Sequence, residues 1–489
     1  MNGSPYSLAS ERRRRGRVVR MCLISFAALV SPSAAAFVVA QTVPPGDPVR
    51  PAYRQQRSDE DWSFLRDKSK RRDWWDPIKV IPLRPNRKWY MTLGGEFRPF
   101  FELYDNYNWG AGPEDNNGFY LQRVMFHADV RMAERARAFV ELKSGVEVGR
   151  AGGARPPDED RLDVNQAFID LRIGPRDRSY LTLRIGRHEM DYGDGSLVSY
   201  REGPNVRRGY DGPKVTVHLA SWQVDAFAVR PVETDPGVFD DGWDNAETFW
   251  GIYASAQRPM PGRFGRPEVY YLGLTRGTAR YEQGSDRETR HTVGARTKYR
   301  KGGQEYWLEG TFQFGSFGAG TVRAWKHVQV YTYAFDRTRF RPRIGLNFAI
   351  SSGDEDPRDP DLQTYHPLFP RGLYYGYIDS SGSLNAIVLH PSTTFQLSKP
   401  LSVRTEVFGF WRQRTTDGLY SQPGFLLRTG QQGDANFVGT LGQAEVAWRV
   451  DPHTTATFQA GRYWVGEYFR DTPPARNLTY VSAKVSYKF

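Results

Sequence analysis

From Lys88 to the C-terminus the chain alternates apolar and polar side chains at every second position, run after run. That period is the signature of half-buried strands. In 88–104, Met91, Leu93, Phe97, Phe101 and Leu103 fall on one face, with Thr92, Glu96, Arg98 and Glu102 on the other. Run 162–173 sets Ala167, Ile169, Leu171 and Ile173 against Gln166, Asp170 and Arg172, and run 342–351 sets Ile344, Leu346, Phe348 and Ile350 against Arg343, Gly345 and Asn347. Eighteen such runs can be counted, the last being 476–489. Their second face is charged rather than merely polar.

The connections carry a second pattern, because they alternate between short and long. Short turns such as Met132–Arg135, Gly174–Arg178 and Lys301–Gly303 separate long stretches at 105–116, 149–161, 189–212, 231–247, 277–289, 316–323, 352–382, 414–434 and 465–475. A soluble sandwich has no reason to segregate loop length in this way, whereas a membrane barrel does. In hydrocarbon every backbone donor and acceptor needs a partner, so a sheet there must close on itself. The expected fold is therefore all-β: a transmembrane antiparallel up-and-down β-barrel of about 18 strands, of the outer-membrane type. Composition agrees. Only 39% of residues are hydrophobic and mean hydropathy is −0.62, yet 14% are aromatic, suited to girdles at two interfaces (Trp89, Tyr90, Trp250, Trp411, Trp448, Trp464). The chain ends on Phe489, with Tyr487 on the same face, like the terminal aromatic that outer-membrane assembly machinery reads.

The N-terminus reads as an export signal over 1–40: six arginines between Arg12 and Arg20, an apolar run Met21–Val30, then Ser31-Pro-Ser-Ala-Ala-Ala36. Cleavage is expected after Ala40, with Ala36 as the alternative. Cys22, the only cysteine, lies inside this segment, so the mature chain has no disulfide, thiolate metal site or thiol nucleophile. Removing six Arg and one Glu lowers the net charge from +12 to +7. After export, nucleic acid is not a partner; anionic sugars, lipid headgroups and small anions are. Residues 41–87, rich in Pro, Arg and Asp, read as a mostly irregular periplasmic extension with a short helix near 59–67, followed by the barrel at 88–489.

Charge on the lipid face would cost about 2–4 kcal/mol near the midplane, so the charged face is assigned to the lumen. Cations outnumber acids there. Arg98, Arg123, Lys143, Arg172, Arg184, Arg296, Lys298, Arg343, Arg404, Arg449 and Lys484 become candidate pore-lining, anion-contacting residues, because rings of Arg and Lys select anions and Arg binds carboxylates bidentately. Many of these charges are also expected to pair across strands and stiffen the wall.

Two segments resemble the bacterial alginate-export family: Leu183-Arg-Ile-Gly-Arg-His-Glu-Met-Asp-Tyr-Gly-Asp-Gly195 followed by Glu202-Gly-Pro-Asn-Val-Arg-Arg-Gly-Tyr-Asp-Gly212, and Ser351-Ser-Gly-Asp354 with His366-Pro-Leu-Phe-Pro370 and Tyr374-Tyr-Gly376. The resemblance implies an 18-stranded outer-membrane barrel with an electropositive constriction, secreting alginate in the type case. It also implies anion contact at Arg184 and Arg187. Strict alternation sets Arg187 on the opposite face from Arg184, so a bulge or the strand's end would have to turn it inward.

Connection 189–212 could fold into the lumen, adding Arg201, Arg207 and Arg208, or form an ordinary external loop. The acids of 352–382 (Asp354, Glu355, Asp356, Asp359, Asp361) could hold Ca²⁺ or stay solvated; they lack calcium-loop spacing. Neither a G-x-S-x-G elbow nor an H-E-x-x-H pair is present, so no catalytic residues, metal site or cofactor are expected and the chain is not read as an enzyme. The expectation is a passive outer-membrane porin for anionic oligo- or polysaccharides or small anions, with a monomer favoured. A general or uptake porin and a surface-interaction barrel are the alternatives.

Overall fold

The computed structural model describes residues 50–489 apart from 86–87, 176–178, 263–264, 373–374 and 379–380. The expected signal segment lies outside them. Eighteen strands form the wall: β1 Trp89–Asp105, β2 Phe119–Met132, β3 Ala136–Val148, β4 Asp160–Ile173, β5 Tyr180–His188, β6 Tyr210–His218, β7 Trp222–Glu233, β8 Glu247–Ala256 and β9 Arg266–Tyr281. The second half comprises β10 Gly284–Lys301, β11 Gln304–Phe317, β12 Gly320–Ala334, β13 Arg343–Ser351, β14 Ala386–Gln396, β15 Leu401–Arg412, β16 Phe437–Arg449, β17 Thr454–Val465 and β18 Leu478–Lys488. Each pairs antiparallel with its chain neighbours, and β1 pairs with β18, which closes the sheet.

The two faces are inverted relative to a soluble protein. Outward positions carry Ile169, Leu171, Ile185, Ile252, Phe312, Ile344 and Phe458, all exposed, whereas charged residues such as Glu96, Arg98, Arg123, Glu141 and Arg290 are buried. Exposed apolar outer positions and charged inner ones are what a hydrocarbon solvent demands. Trp448 lies at the short-turn end of the outer wall and Trp325 and Trp464 toward the other, all at least 40% exposed. Tyr90 is not in a girdle. It points inward and is buried with Trp62, Leu65 and Val80 under the N-terminal segment.

One end of the barrel bears the short turns and the other the long connections, with two corrections. Connections 277–289 and 316–323 are not loops: β9 and β10 run on to a two-residue turn at 282–283, and β11 and β12 to one at 318–319. Their inner faces stay packed above the rest of the wall. Tyr281, Phe317 and Val322 bury there against Leu362, Leu384 and Tyr420 from two other connections, so the ladder has no reason to stop.

Two connections leave the wall for the lumen. Residues 189–209 and 352–385 meet inside it, where Val198 bridges Phe369 and Phe369 N donates to Leu197 O. Between β5 and β6 the departure is sharp. Gly186 faces Gly212, both at positive φ (126° and 149°), and a Cβ on Gly186 would lie 2.2 Å from Ala167 O. That leaves the upper edge of β4 unpaired, and residues 237–239 of the β7–β8 connection cover it by bonding to Leu162.

The N-terminal segment is more ordered than its composition suggests. The expected helix near 59–67 is instead a series of single 3₁₀ turns (Arg57–Asp59, Ser63–Arg66, Lys68–Lys70), followed by α1, Asp76–Lys79. Strand β1 overhangs the end of β18, and the segment caps that overhang. Ile81 and Pro82 pair with Met91 and Tyr90, Lys79 Nζ donates to Leu93 O, and Arg57 donates to the carbonyls of Gly95 and Phe489 (2.6 and 2.7 Å). An unpaired edge would otherwise expose backbone groups at the seam.

Candidate functional site

The lumen divides into a filled side and an open side. On the filled side, under β1–β5, the infolded 189–209 connection meets the N-terminal segment. Arg123 donates to Glu96 (2.8 Å) and Glu202 (2.6 Å). Arg98 donates to the carbonyls of Glu202 and Pro204. Arg207 is fully buried among Glu202, Glu189 and Glu96, and its other amine reaches Gln55 O at 2.8 Å. Burial opposes charge on Glu202, yet the guanidinium groups of Arg123 and Arg207 hold its carboxyl well below the usual range. Glu189 is pushed upward by burial. Asn205 pins the connection to the wall, donating to Gln122 O and Asp158 O. Of the two readings of this connection, the infolded one is what the structure adopts.

Below it lies a chamber at the turn end, about 530 Å³, between the N-terminal turns and the turn ends of β1–β7. Its lining includes Arg137, Arg172, Arg184 and Lys214, with Asp170 and the stacked pair Tyr180 and His218 (4.1 Å). Arg184 clamps Asp170 bidentately at 2.7 and 2.9 Å and lies 3.7 Å over Phe168. Arg172 lies over Tyr180. The chamber floor comes from the N-terminal segment: Arg131 donates to Glu60 O and Arg137 to Ser58 O.

Lys143 and Arg187 sit higher, at the rim. Lys143 Nζ is 2.9 Å from Asp160 and 2.7 Å from Asp241. Arg187 clamps Asp211 at 2.9 and 3.0 Å and approaches Asp163 at 3.6 Å. Ladder partners of Arg187 and Arg184 are Ala167 and Asp170, three apart, so the two arginines do occupy opposite faces. Asp160, Asp163 and Asp241 form the one acidic cluster of metal-binding size among the described residues, and Lys143 and Arg187 already pair with it. The acids of 352–382 are spent locally: Asp356 pairs with Arg358, Asp361 accepts from Thr321, and Asp354 lies buried beside Asp417.

On the open side, β10–β16, Arg343, Arg404 and Arg449 meet solvent, whereas Arg296 on β10 does not and Lys484 on β18 is half-buried. Arg343 bonds Glu305 at 2.6 Å with both side chains more than a third exposed, and Arg404, 46% exposed, bonds Glu406 at 2.5 Å. Arg449 is exposed with no ion pair among the described residues, and Lys484 lies 5.5 Å over Phe100. Arg296 is buried over Trp307 and bonds Asp194, which Lys298 also holds. A cavity of about 250 Å³ opens here between Trp307, Tyr377, His390, Arg404 and Arg371. Arg371 and Tyr377 come from the 352–385 connection and carry no periodic signal, so sequence reading missed them. Ser58, Glu60 and Asp241 were missed for the same reason.

The family model for alginate export matches residues 89–483. The chain belongs to the alginate export family. That assignment and the barrel are of the channel type rather than the enzymatic one. Similar solved structures are outer-membrane porins of Pseudomonas aeruginosa. With OccD3 (OpdP) the identity is 11% and the TM-score 0.56, covering 84% of this chain and 93% of that one. With OccK8 (OprE) the identity is 13% and the TM-score 0.53, covering 82% and 98%. No curated protein matches the chain. The family match stops short of the N-terminal segment, whereas the barrel architecture is shared across the porins at sequence identities this low.

Proposed function

We propose that this alginate-export family member sits in the outer membrane of a Gram-negative bacterium and passively conducts anionic saccharides of the polyuronate kind, or small anions. The observation that carries the reading is the charge that a solute would meet on the open side. Arg300, Arg343, Arg404 and Arg449 are accessible there, while on the filled side Arg98, Arg123 and Arg207 are buried. In a lumen, accessible cations concentrate anions, and aromatic faces such as Trp307 and Tyr377 suit sugar rings. The turn end then faces the periplasm, and the barrel works as a monomer.

The test is the reversal potential of refolded protein in a planar bilayer under a KCl gradient, followed by addition of polyuronate oligomers. Chloride selectivity with oligomer block is expected. Arg404→Ala and Arg184→Ala each weaken both, the latter because it also leaves Asp170 without its clamp. A cation-selective current sinks the proposal, and the absence of any current favours a surface-interaction barrel.

A further inference from the structure

The N-terminal segment carries two consecutive tryptophans with opposite fates. Trp75 reaches around the barrel seam: its Nε1 donates to Tyr487 Oη at 2.7 Å and its ring lies 4.4 Å from that of Phe489. Tyr487 is the ladder partner of Phe97, which is exposed on the outer wall. Trp75 therefore emerges on the outside of the barrel at the turn end. Trp74, its neighbour, is 86% exposed, the most exposed large apolar side chain among the described residues. Leu83 is 46% exposed, and Trp89 lies close by beneath Arg84 at 4.1 Å.

The exposed charge around these tryptophans is mostly positive, with Asp67 as the one exposed acid between residues 67 and 84. Lys68, Lys70, Arg72 and Arg84 are exposed. The neighbouring acids are occupied: Asp67 accepts from Ser69, Asp73 from His453 and Trp75, and Asp76 from Arg50 and two backbone amides. Indole rings prefer the boundary between hydrocarbon and water, and Lys and Arg beside them reach phosphate while their stems stay in the apolar layer. The patch is continuous with the apolar outer wall through Trp75 and Tyr487.

We propose that residues 68–75, with Leu83 and Arg84, dock on the phosphate-bearing headgroups of the leaflet at the turn end, Trp74 inserting at the interface and Lys68, Lys70 and Arg72 contacting phosphate. The docking would hold the segment that caps β1. This rests on the membrane reading above and adds a lipid contact outside the family-matched region.

In a Cys22→Ser full-length background, a nitroxide is attached at Trp74→Cys and, separately, at Leu83→Cys and at Val140→Cys on the outer wall. The barrel is reconstituted in phosphatidylethanolamine–phosphatidylglycerol vesicles, and collisions with oxygen and with a water-soluble nickel chelate are compared. The expected result is an oxygen-to-nickel ratio at Trp74→Cys and Leu83→Cys severalfold above that of a free label in water and below that at Val140→Cys. Adding Lys68→Gln and Lys70→Gln lowers it, as does replacing phosphatidylglycerol with phosphatidylcholine. Water-like ratios at 74 and 83 with a lipid-like ratio at 140 overturn the docking and leave the membrane reading intact. Water-like ratios at all three overturn both.

Discussion

Arg123 and Arg343 both project from the inner face of the same barrel and both bond a glutamate at about the same distance (2.8 and 2.6 Å). Arg123 is 1% exposed, locked between Glu96 and the infolded Glu202, whereas Arg343 is 39% exposed and faces open lumen. The difference is made by chain segments far away in sequence. Where 189–209 folds in against β1–β3, the charged lining around Arg98, Arg123 and Arg207 becomes a packed ionic core. At the turn end of β10–β16, where no connection folds in, the same residue type on the same alternating face (Arg300, Arg343, Arg404, Arg449) stays available to ions. Arg290 and Arg412, nearer the loop end, are buried.

The largest effect is expected from breaking the filled side at its centre. Arg207→Ala leaves the buried Glu189 and Glu96 and the half-buried Glu202 with one cation fewer and should cost about 3–5 kcal/mol. The 189–209 connection should leave the lumen, visible as raised single-channel conductance and as new protease cleavage near Tyr200. Unchanged conductance would mean that this connection does not narrow the path.

Arg57→Ala comes next. It removes two charged hydrogen bonds to the carbonyls of Gly95 and Phe489, each worth about 1.5–3 kcal/mol, and uncaps the seam. The melting transition followed by heat-dependent gel mobility should fall, and a variant as heat-resistant as the parent would place the seam's strength elsewhere.

A third effect lies between the connections at the loop end. Asp354, whose amide donates to Asp417 Oδ2 at 2.8 Å, has its carboxyl pushed up to about 7 by burial and by the Asp417 charge. A folded pKa above the unfolded one means the folded state holds the extra proton between about pH 4 and 7, so stability here falls as pH rises across that window. Protease access to 413–436 should grow from pH 5 to pH 8 in the parent and stay flat in Asp354→Asn.

The smallest stability effect belongs to the open side. Arg343→Gln breaks an exposed pair worth roughly 1 kcal/mol or less, yet it should shift the reversal potential toward cations. A change in stability without a change in selectivity would reverse the contrast between the two sides.

The strands were legible because each reports itself locally. Ile169, Leu171 and Ile173 against Asp170 and Arg172 define a face without knowledge of any partner. Tyr90 was misread because its aromatic ring at a strand end looks the same under a plug as in a girdle. Hairpins β9–β10 and β11–β12 were read too short, since the polar Glu282-Gln283 turn and the glycine-rich Gly318-Ala319-Gly320 turn read as loop, and what keeps them ordered, Leu362, Leu384 and Tyr420, is supplied by other connections.

The sequence by itself determined the number of strands, the lipid-facing and lumen-facing sides and the family, because period-two alternation and the family's motifs are written in neighbouring residues. Only the tertiary structure decided which lumen cations are free to meet a solute. Arg98 finds its acceptors 104 and 106 residues away and Arg207 finds Gln55 152 residues away. Pairings of that reach depend on which connections fold inward, and so on how a closed wall packs its own contents.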